Sequence, residues 1–222
     1  QVTYGARMEP GFWQARWAER KIGFHEGVPN ALLAAHAARL GGARRILVPL
    51  CGKSEDLAFL AGCGHAVVGV ELVEDAAREF FADHALDPAV ARRGDHAVYT
   101  AGAITIVAGD WFAPLAKLVG QVDAFYDRAA LIAMPPTRRE AYVAQLQSLC
   151  RGPGLVVSID YPAGVMEGPP FAVDDAEVTA RFPTATLLAE QPVRTGRIAE
   201  LGIAAVERCY FVASQRRPTT SP

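Results

Sequence analysis

The chain has 222 residues, 51% of them hydrophobic, with a formal net charge of −2 and a pI near 6.2. That is enough for one domain with a sizeable core, and the near-balance of charge, without a run of one sign, disfavours nucleic acid as a partner. Cys51, Cys63, Cys150 and Cys209 show neither paired metal spacing nor a disulfide framework, and no apolar stretch approaches the ~20 residues that span a bilayer, so the expectation is a cytoplasmic monomer with reduced thiols, no metal and no membrane partner.

In chain order, residues 1–8 read as a tag or disordered extension. Residues 9–215 read as one domain, with a helical lid segment over 9–42 and an α/β core over 43–215, and 216–222 as a frayed tail. The spacing predicts a helix over 9–22 with Trp13 and Trp17 on one face, broken at Gly23-Phe24-His25 and Val28-Pro29-Asn30. An Ala/Leu-rich helix over 31–40 ends at Gly41-Gly42. The α/β alternation then begins: strand 46–50, helix 54–63 opened by Ser54 as a cap, strand 66–72, helix 74–85. A loop rich in Asp, Arg and Gly follows over 87–95, with 87–102 left unassigned as a whole. Strand 104–109, a short helical or irregular piece over 113–119, strand 122–127, helix 137–150 and strand 155–160 come next. A loop at 167–170, a short helix over 175–181 and strands 185–191 and 205–213, read as a hairpin, complete the chain. This pattern predicts a seven-stranded, mostly parallel sheet with helices on both faces and an antiparallel edge, the Rossmann-like class I methyltransferase arrangement.

The chemistry concentrates at strand ends. Gly52-Lys53-Ser54 is not a phosphate-binding loop, because Leu47 stands where that motif needs a glycine. The three spaced glycines of a dinucleotide fingerprint are also absent, which leaves a dehydrogenase as a weak alternative. A lone Gly52 does let backbone approach a compact cofactor, with Leu50 packing beside it, and Glu71, about 20 residues on, stands where a carboxylate accepts both hydroxyls of a ribose. Asp110-Trp111 ends the third strand, where a carboxylate can accept from an adenine amino group and an aromatic can cover the ring; a helix cap at Asp110 is the competing reading. Arg128, set between apolar runs, requires an anionic partner from the protein or from a ligand. On spacing alone Trp13 and Trp17 read as core more readily than as a cofactor lid, and Arg194 and Arg197 read as solvated loop charges.

Together Phe12-Trp13, Arg16-Trp17, Ile22-Gly23-Phe24-His25, Val48-Pro49-Leu50-Cys51-Gly52-Lys53-Ser54, Gly69-Val70-Glu71-Leu72, Asp127-Arg128-Ala129-Ala130-Leu131 and Gly168-Pro169-Pro170-Phe171 closely resemble the thiopurine S-methyltransferase family. The resemblance runs from about Phe12 to Val212. It implies an S-adenosyl-L-methionine cofactor with S-adenosyl-L-homocysteine as product, and aromatic or heteroaromatic thiols, or selenium or tellurium oxyanions, as acceptors. It also implies cofactor contacts at Trp17, Leu50, Glu71 and Arg128 with Trp13 beside them, backbone contact at Asp110-Trp111, and an acceptor pocket at Phe24, Arg128 and Arg197. No general base is expected, because a thiolate attacking a sulfonium methyl merges opposite charges and needs alignment and exclusion of water instead. A methylase of amines or carboxylates, or a non-catalytic nucleotide-binding module, stays open beside this reading.

Overall fold

The computed structural model describes residues 10–20 and 26–214. The expectations for residues 1–8, for Phe24 and for the tail 216–222 lie outside the described residues. Helix α1 (Pro10–Ala18) leads to α2 (Ala31–His36), which tightens into a 3-10 turn over Ala37–Leu40. The core then runs β1 (Arg45–Pro49), α3 (Glu55–Gly62), β2 (Ala66–Glu71), α4 (Glu74–Asp83), β3 (Ala89–Arg93), β4 (His96–Ala101) and β5 (Ile104–Ala108). It continues with α5 (Ala116–Val119), β6 (Ala124–Arg128), α6 (Pro136–Leu149), β7 (Gly154–Asp160), α7 (Asp175–Arg181), β8 (Ala185–Pro192), α8 (Gly196–Glu200) and β9 (Val206–Val212).

These elements form one sheet in the order β3-β4-β5-β2-β1-β6-β7-β9-β8. The central strands β5, β2, β1, β6 and β7 pair parallel, and both flanks are antiparallel. Strands covered on both faces must be apolar at every position, as Ile46-Leu47-Val48 is. Alternate residues feed opposite layers. Leu47, Val68, Phe125 and Val156 join the core under α6 with Tyr142 and Leu146. Ile46, Val48, Val67 and Tyr126 pack on the other face with Leu33, Leu57 and Phe80.

The helices begin where side chains satisfy their first N–H groups. Ser54 accepts from Asp56 N, Asn30 from Leu32 N and Leu33 N, and Asp174 from Glu177 N. Arg139, buried, donates to the Met134 and Ala172 carbonyls and pairs with Glu177, fastening α7 to α6.

The sheet has nine strands, not seven. The expected loop at 87–95 is instead most of a hairpin, β3-β4, closed by Gly94-Asp95 with Arg93 facing His96. Its outer strand is exposed and charged, which hid its period-two pattern; Ala97 and Tyr99 of β4 face the core, and Arg92 is held by Glu74. A second correction concerns Arg197, expected in a loop, which lies in the short helix α8.

Candidate functional site

From the central β1 the chain goes to β2 on one side and later returns to β6 on the other, so a crevice opens at the carboxyl ends of the strands beside β1. A cavity of about 720 Å³ occupies it, within the range of small-molecule sites. Its walls come from Leu50 and Gly52 after β1, Glu71 at the end of β2, Asp110-Trp111-Phe112 after β5, and Arg128-Ala129 at the end of β6. Trp13 and Trp17 of α1 close one side, and the segment Val193–Ile198 leading into α8 closes another.

Two non-glycine residues here take left-handed backbone, Leu50 (φ 46°) and Ala129 (φ 60°), and Gly52 (φ 53°) joins them. Such conformations cost about 1 kcal/mol or more for a residue with a side chain, and they gather where chain must turn sharply beside a ligand. The turn after β1 is further seated by Gly69, where an added Cβ would lie 2.5 Å from Cys51 Sγ.

Glu71 is buried, 6% exposed, yet its carboxylate is fixed: Oε2 accepts from Gly52 N at 2.9 Å and Oε1 from Val73 N at 2.8 Å. Burial raises its pKa, and the backbone donors Val73, Gly52 and Leu72 oppose that rise. With up to four lone-pair sites against these backbone donors, the carboxylate keeps acceptor capacity at the cavity wall. Trp17 packs on Val73 and Ala76 at the start of α4, with Trp13 and Leu72 partly buried against the same patch, so the aromatic face is at once core and cavity wall. Asp110 is exposed and accepts from Phe112 N, shaping a turn rather than capping a helix; Trp111 is buried against Tyr142. Arg138 lies over the Phe112 ring, 4.1 Å from its centroid.

At the β6 end the Arg128 side chain is 13% exposed, and its Nη2 pairs with Glu26 Oε1 at 2.8 Å. Asp56 Oδ2 stands 4.0 Å from Nη1. Burial lowers the pKa of this guanidinium, but Tyr126, Glu26, Asp56 and Glu207 outweigh it and the net direction is up. Below it Asp56 accepts from Asn30 N at 2.7 Å and from the Tyr126 hydroxyl at 3.0 Å, and Asn30 reaches Glu207, which Gln191 also holds. Arg197 is exposed, its Nη1 3.4 Å from the Pro169 carbonyl. Arg16, across the opening, has its pKa lowered by burial and then by Arg197, with Glu19 opposing.

Of the residues singled out in the sequence, Trp13, Trp17, Leu50, Gly52, Glu71, Asp110, Trp111, Arg128 and Arg197 all line this one cavity, and Phe24 lies outside the described residues. Glu26, Asn30, Arg16 and Glu207 were not anticipated. Asn30 had a local signal, a capping residue just before an Ala/Leu run; the pairing of Glu26 with Arg128 had none. Among the described residues no group of His, Cys, Asp and Glu could hold a metal, and no helix is long and apolar enough to cross a membrane.

Comparison with known proteins bears directly on this cavity. The family model described as thiopurine S-methyltransferase (TPMT) matches residues 8–204. The chain belongs to the thiopurine S-methyltransferase family. Relatives named thiopurine S-methyltransferase are 51% identical over 77% of this chain and 80% of theirs in Azotobacter vinelandii. In Pseudomonas aeruginosa (strain UCBPP-PA14) the identity is 50% over 79% of this chain and 82% of the relative. Among solved structures, the Burkholderia thailandensis 1,6-didemethyltoxoflavin-N1-methyltransferase, with bound 1,6-didemethyltoxoflavin and S-adenosylhomocysteine, shares the fold. Its TM-score is 0.61 at 18% identity, over 95% of this chain and 89% of that one. The Synechocystis magnesium protoporphyrin IX methyltransferase gives a TM-score of 0.54 over 96% and 89% at 14% identity.

The fold is thus that of class I methyltransferases, and the thiopurine S-methyltransferase family uses S-adenosylmethionine as methyl donor. The residues present fit that cofactor: a buried carboxylate held by two backbone donors beside a glycine turn has the acceptor chemistry of a vicinal-diol site.

Proposed function

We propose that this methyltransferase acts on the sulfur of aromatic or heteroaromatic thiols, with Glu71 taking the ribose hydroxyls and Gly52 and Leu50 bringing backbone close to the cofactor. Trp13 and Trp17 cover it, Asp110-Trp111 lines the adenine end, and Arg128 and Arg197 face the acceptor. When bound, the cofactor supplies a methyl group on a positively charged sulfur.

One observation supports sulfur in particular. Among the described lining residues there is no histidine, lysine, cysteine or tyrosine, and the buried carboxylates are already bonded: Glu71 to backbone, Glu207 to Gln191 and Asn30. With none of those side chains described at the wall to take a proton, the site suits an acceptor that is already a strong nucleophile near neutral pH. Aryl thiols ionise near neutral pH, whereas phenols need a base to become nucleophiles. The task left to this chain is to align the thiolate, exclude water with aromatic walls, and set the local charge so that the anion enters.

Radiolabelled methyl transfer to matched aryl thiols, phenols and anilines tests the reading. Thiols are expected to be methylated, with a pH–rate profile that tracks each thiol's own pKa across a substituted series. Preferential transfer to anilines or phenols, or a single enzyme pKa common to all thiols, would overturn it.

A further inference from the structure

Immediately around Arg128 carboxylates outnumber guanidinium groups, although Arg16, Arg194 and Arg197 line the cavity further out. Around the one guanidinium of Arg128 stand three carboxylates: Glu26 in direct contact, Asp56 at 4.0 Å, and Glu207 acting through space. Asp56 is fixed by Asn30 N and the Tyr126 hydroxyl, and Glu207 by the neutral amides of Gln191 and Asn30, so neither can leave to admit another anion. Glu26 differs. It belongs to no helix or strand, its side chain is 25% exposed at the cavity wall, and besides Arg128 it receives one long contact from Thr195 Oγ1 at 3.4 Å.

Resting on the thiol reading above, we propose that Glu26 is an acceptor-specificity residue. Its carboxylate occupies the Arg128 guanidinium that a negatively charged substituent would otherwise take. The site therefore favours aryl thiols whose only ionisable group is the sulfur over carboxylated thiols. A carboxylated acceptor has to displace Glu26 into a neighbourhood that already holds Asp56 and Glu207, or remain at the exposed Arg197 end. A like charge placed at such a site is an obstacle even where the shape fits.

A merely structural Glu26, tying the N-terminal segment to β6, would affect neutral and charged acceptors alike, so the discriminating quantity is a ratio. The full chain is assayed as wild type, Glu26→Gln and Glu26→Asp, with mercaptobenzoate and thiophenol. Glu26→Gln should raise the mercaptobenzoate-to-thiophenol ratio of kcat/KM roughly ten- to hundredfold, the range of one charge-assisted contact, and Glu26→Asp should stay near wild type. Calorimetric titration of the ligand-free proteins with mercaptobenzoate gives a readout independent of turnover, and Kd should tighten by a similar factor in Glu26→Gln alone. An unchanged Kd in folded Glu26→Gln overturns the proposal whatever the turnover. Failure of wild type to methylate either thiol overturns the thiol reading instead, while the titration still decides the role of Glu26.

Discussion

Replacing Glu71 separates what the carboxylate does for the fold from what it does for the cofactor. Glu71→Ala leaves the Gly52 and Val73 N–H groups buried without their acceptor, at about 1–3 kcal/mol each, so loss of binding there would be confounded by loss of the turn. Glu71→Gln is the cleaner perturbation. Its single carbonyl can serve one of the two donors, so stability should fall by about 1–2 kcal/mol, reduced by relief of burying a charge whose pKa is already raised by desolvation. For the cofactor, one strong acceptor becomes a donor, and a loss of about 2 kcal/mol corresponds to a Kd roughly thirtyfold weaker. S-adenosylhomocysteine at a hundred times the wild-type Kd should protect wild type against urea by about 2.7 kcal/mol, and the variant by only about 0.9 kcal/mol. Urea titrations with and without this ligand, with calorimetry for Kd, measure both quantities. Equal protection of wild type and a folded Glu71→Gln would refute the assignment of Glu71 to the cofactor.

Asp127 is fully buried, bonded by Leu131 N and the Tyr142 hydroxyl, and burial lifts its pKa from 3.8 to about 6. The folded state therefore keeps a proton that the unfolded chain has lost, and this residue's contribution, largest below about pH 4, declines by on the order of 3 kcal/mol as pH rises to about 6 and is flat above. Asp127→Asn should remove that slope, so the stability difference from wild type should shift in the variant's favour between pH 4 and 7 in urea unfolding; a pH-independent difference would contradict it. Helix α1, nine residues long, is too short to persist alone and is anchored through Trp17 on Val73 and Ala76. Its amides should exchange by local opening and slow when S-adenosylhomocysteine binds, whereas equal exchange in both states would make the tryptophans ordinary core.

How much of this was legible depended on how local each cause is. The run Ile46 to Val48, the Ser54 cap and the break at Gly52 lie within a few residues of one another, so the β1-turn-α3 unit could be read directly. Glu71 was readable because a strand end is set by where its apolar run stops. The β3-β4 hairpin was missed because Arg92 and Arg93 on an exposed edge strand look like loop chemistry, although Gly94-Asp95 between alternating residues is a two-residue hairpin signal. That Arg128 needs an anion followed from its apolar neighbours. Which anion did not, because Glu26 reaches it only through the folded path of the N-terminal segment.

The same distinction runs through the site itself. The end proposed for the cofactor is made by groups that a single strand pair and its turns hold together: Gly52 and Glu71 bond each other, and Val73 opens the next helix. Change there breaks backbone hydrogen bonds and is felt by the fold. The end proposed for the acceptor draws on distant stretches, with Glu26 before α2, Arg128 on β6, Gln191 on β8, Arg197 on α8 and Glu207 on β9. Beneath it the buried Asn30–Asp56–Tyr126 bonds keep α2 seated on the sheet whatever stands above them. On that proposal a substitution at Glu26 or Arg197 would alter the charge presented to an acceptor without touching the bonds among Gly52, Glu71 and Val73. If the proposed assignment holds, acceptor preference can vary while the bonds among Gly52, Glu71 and Val73 are kept.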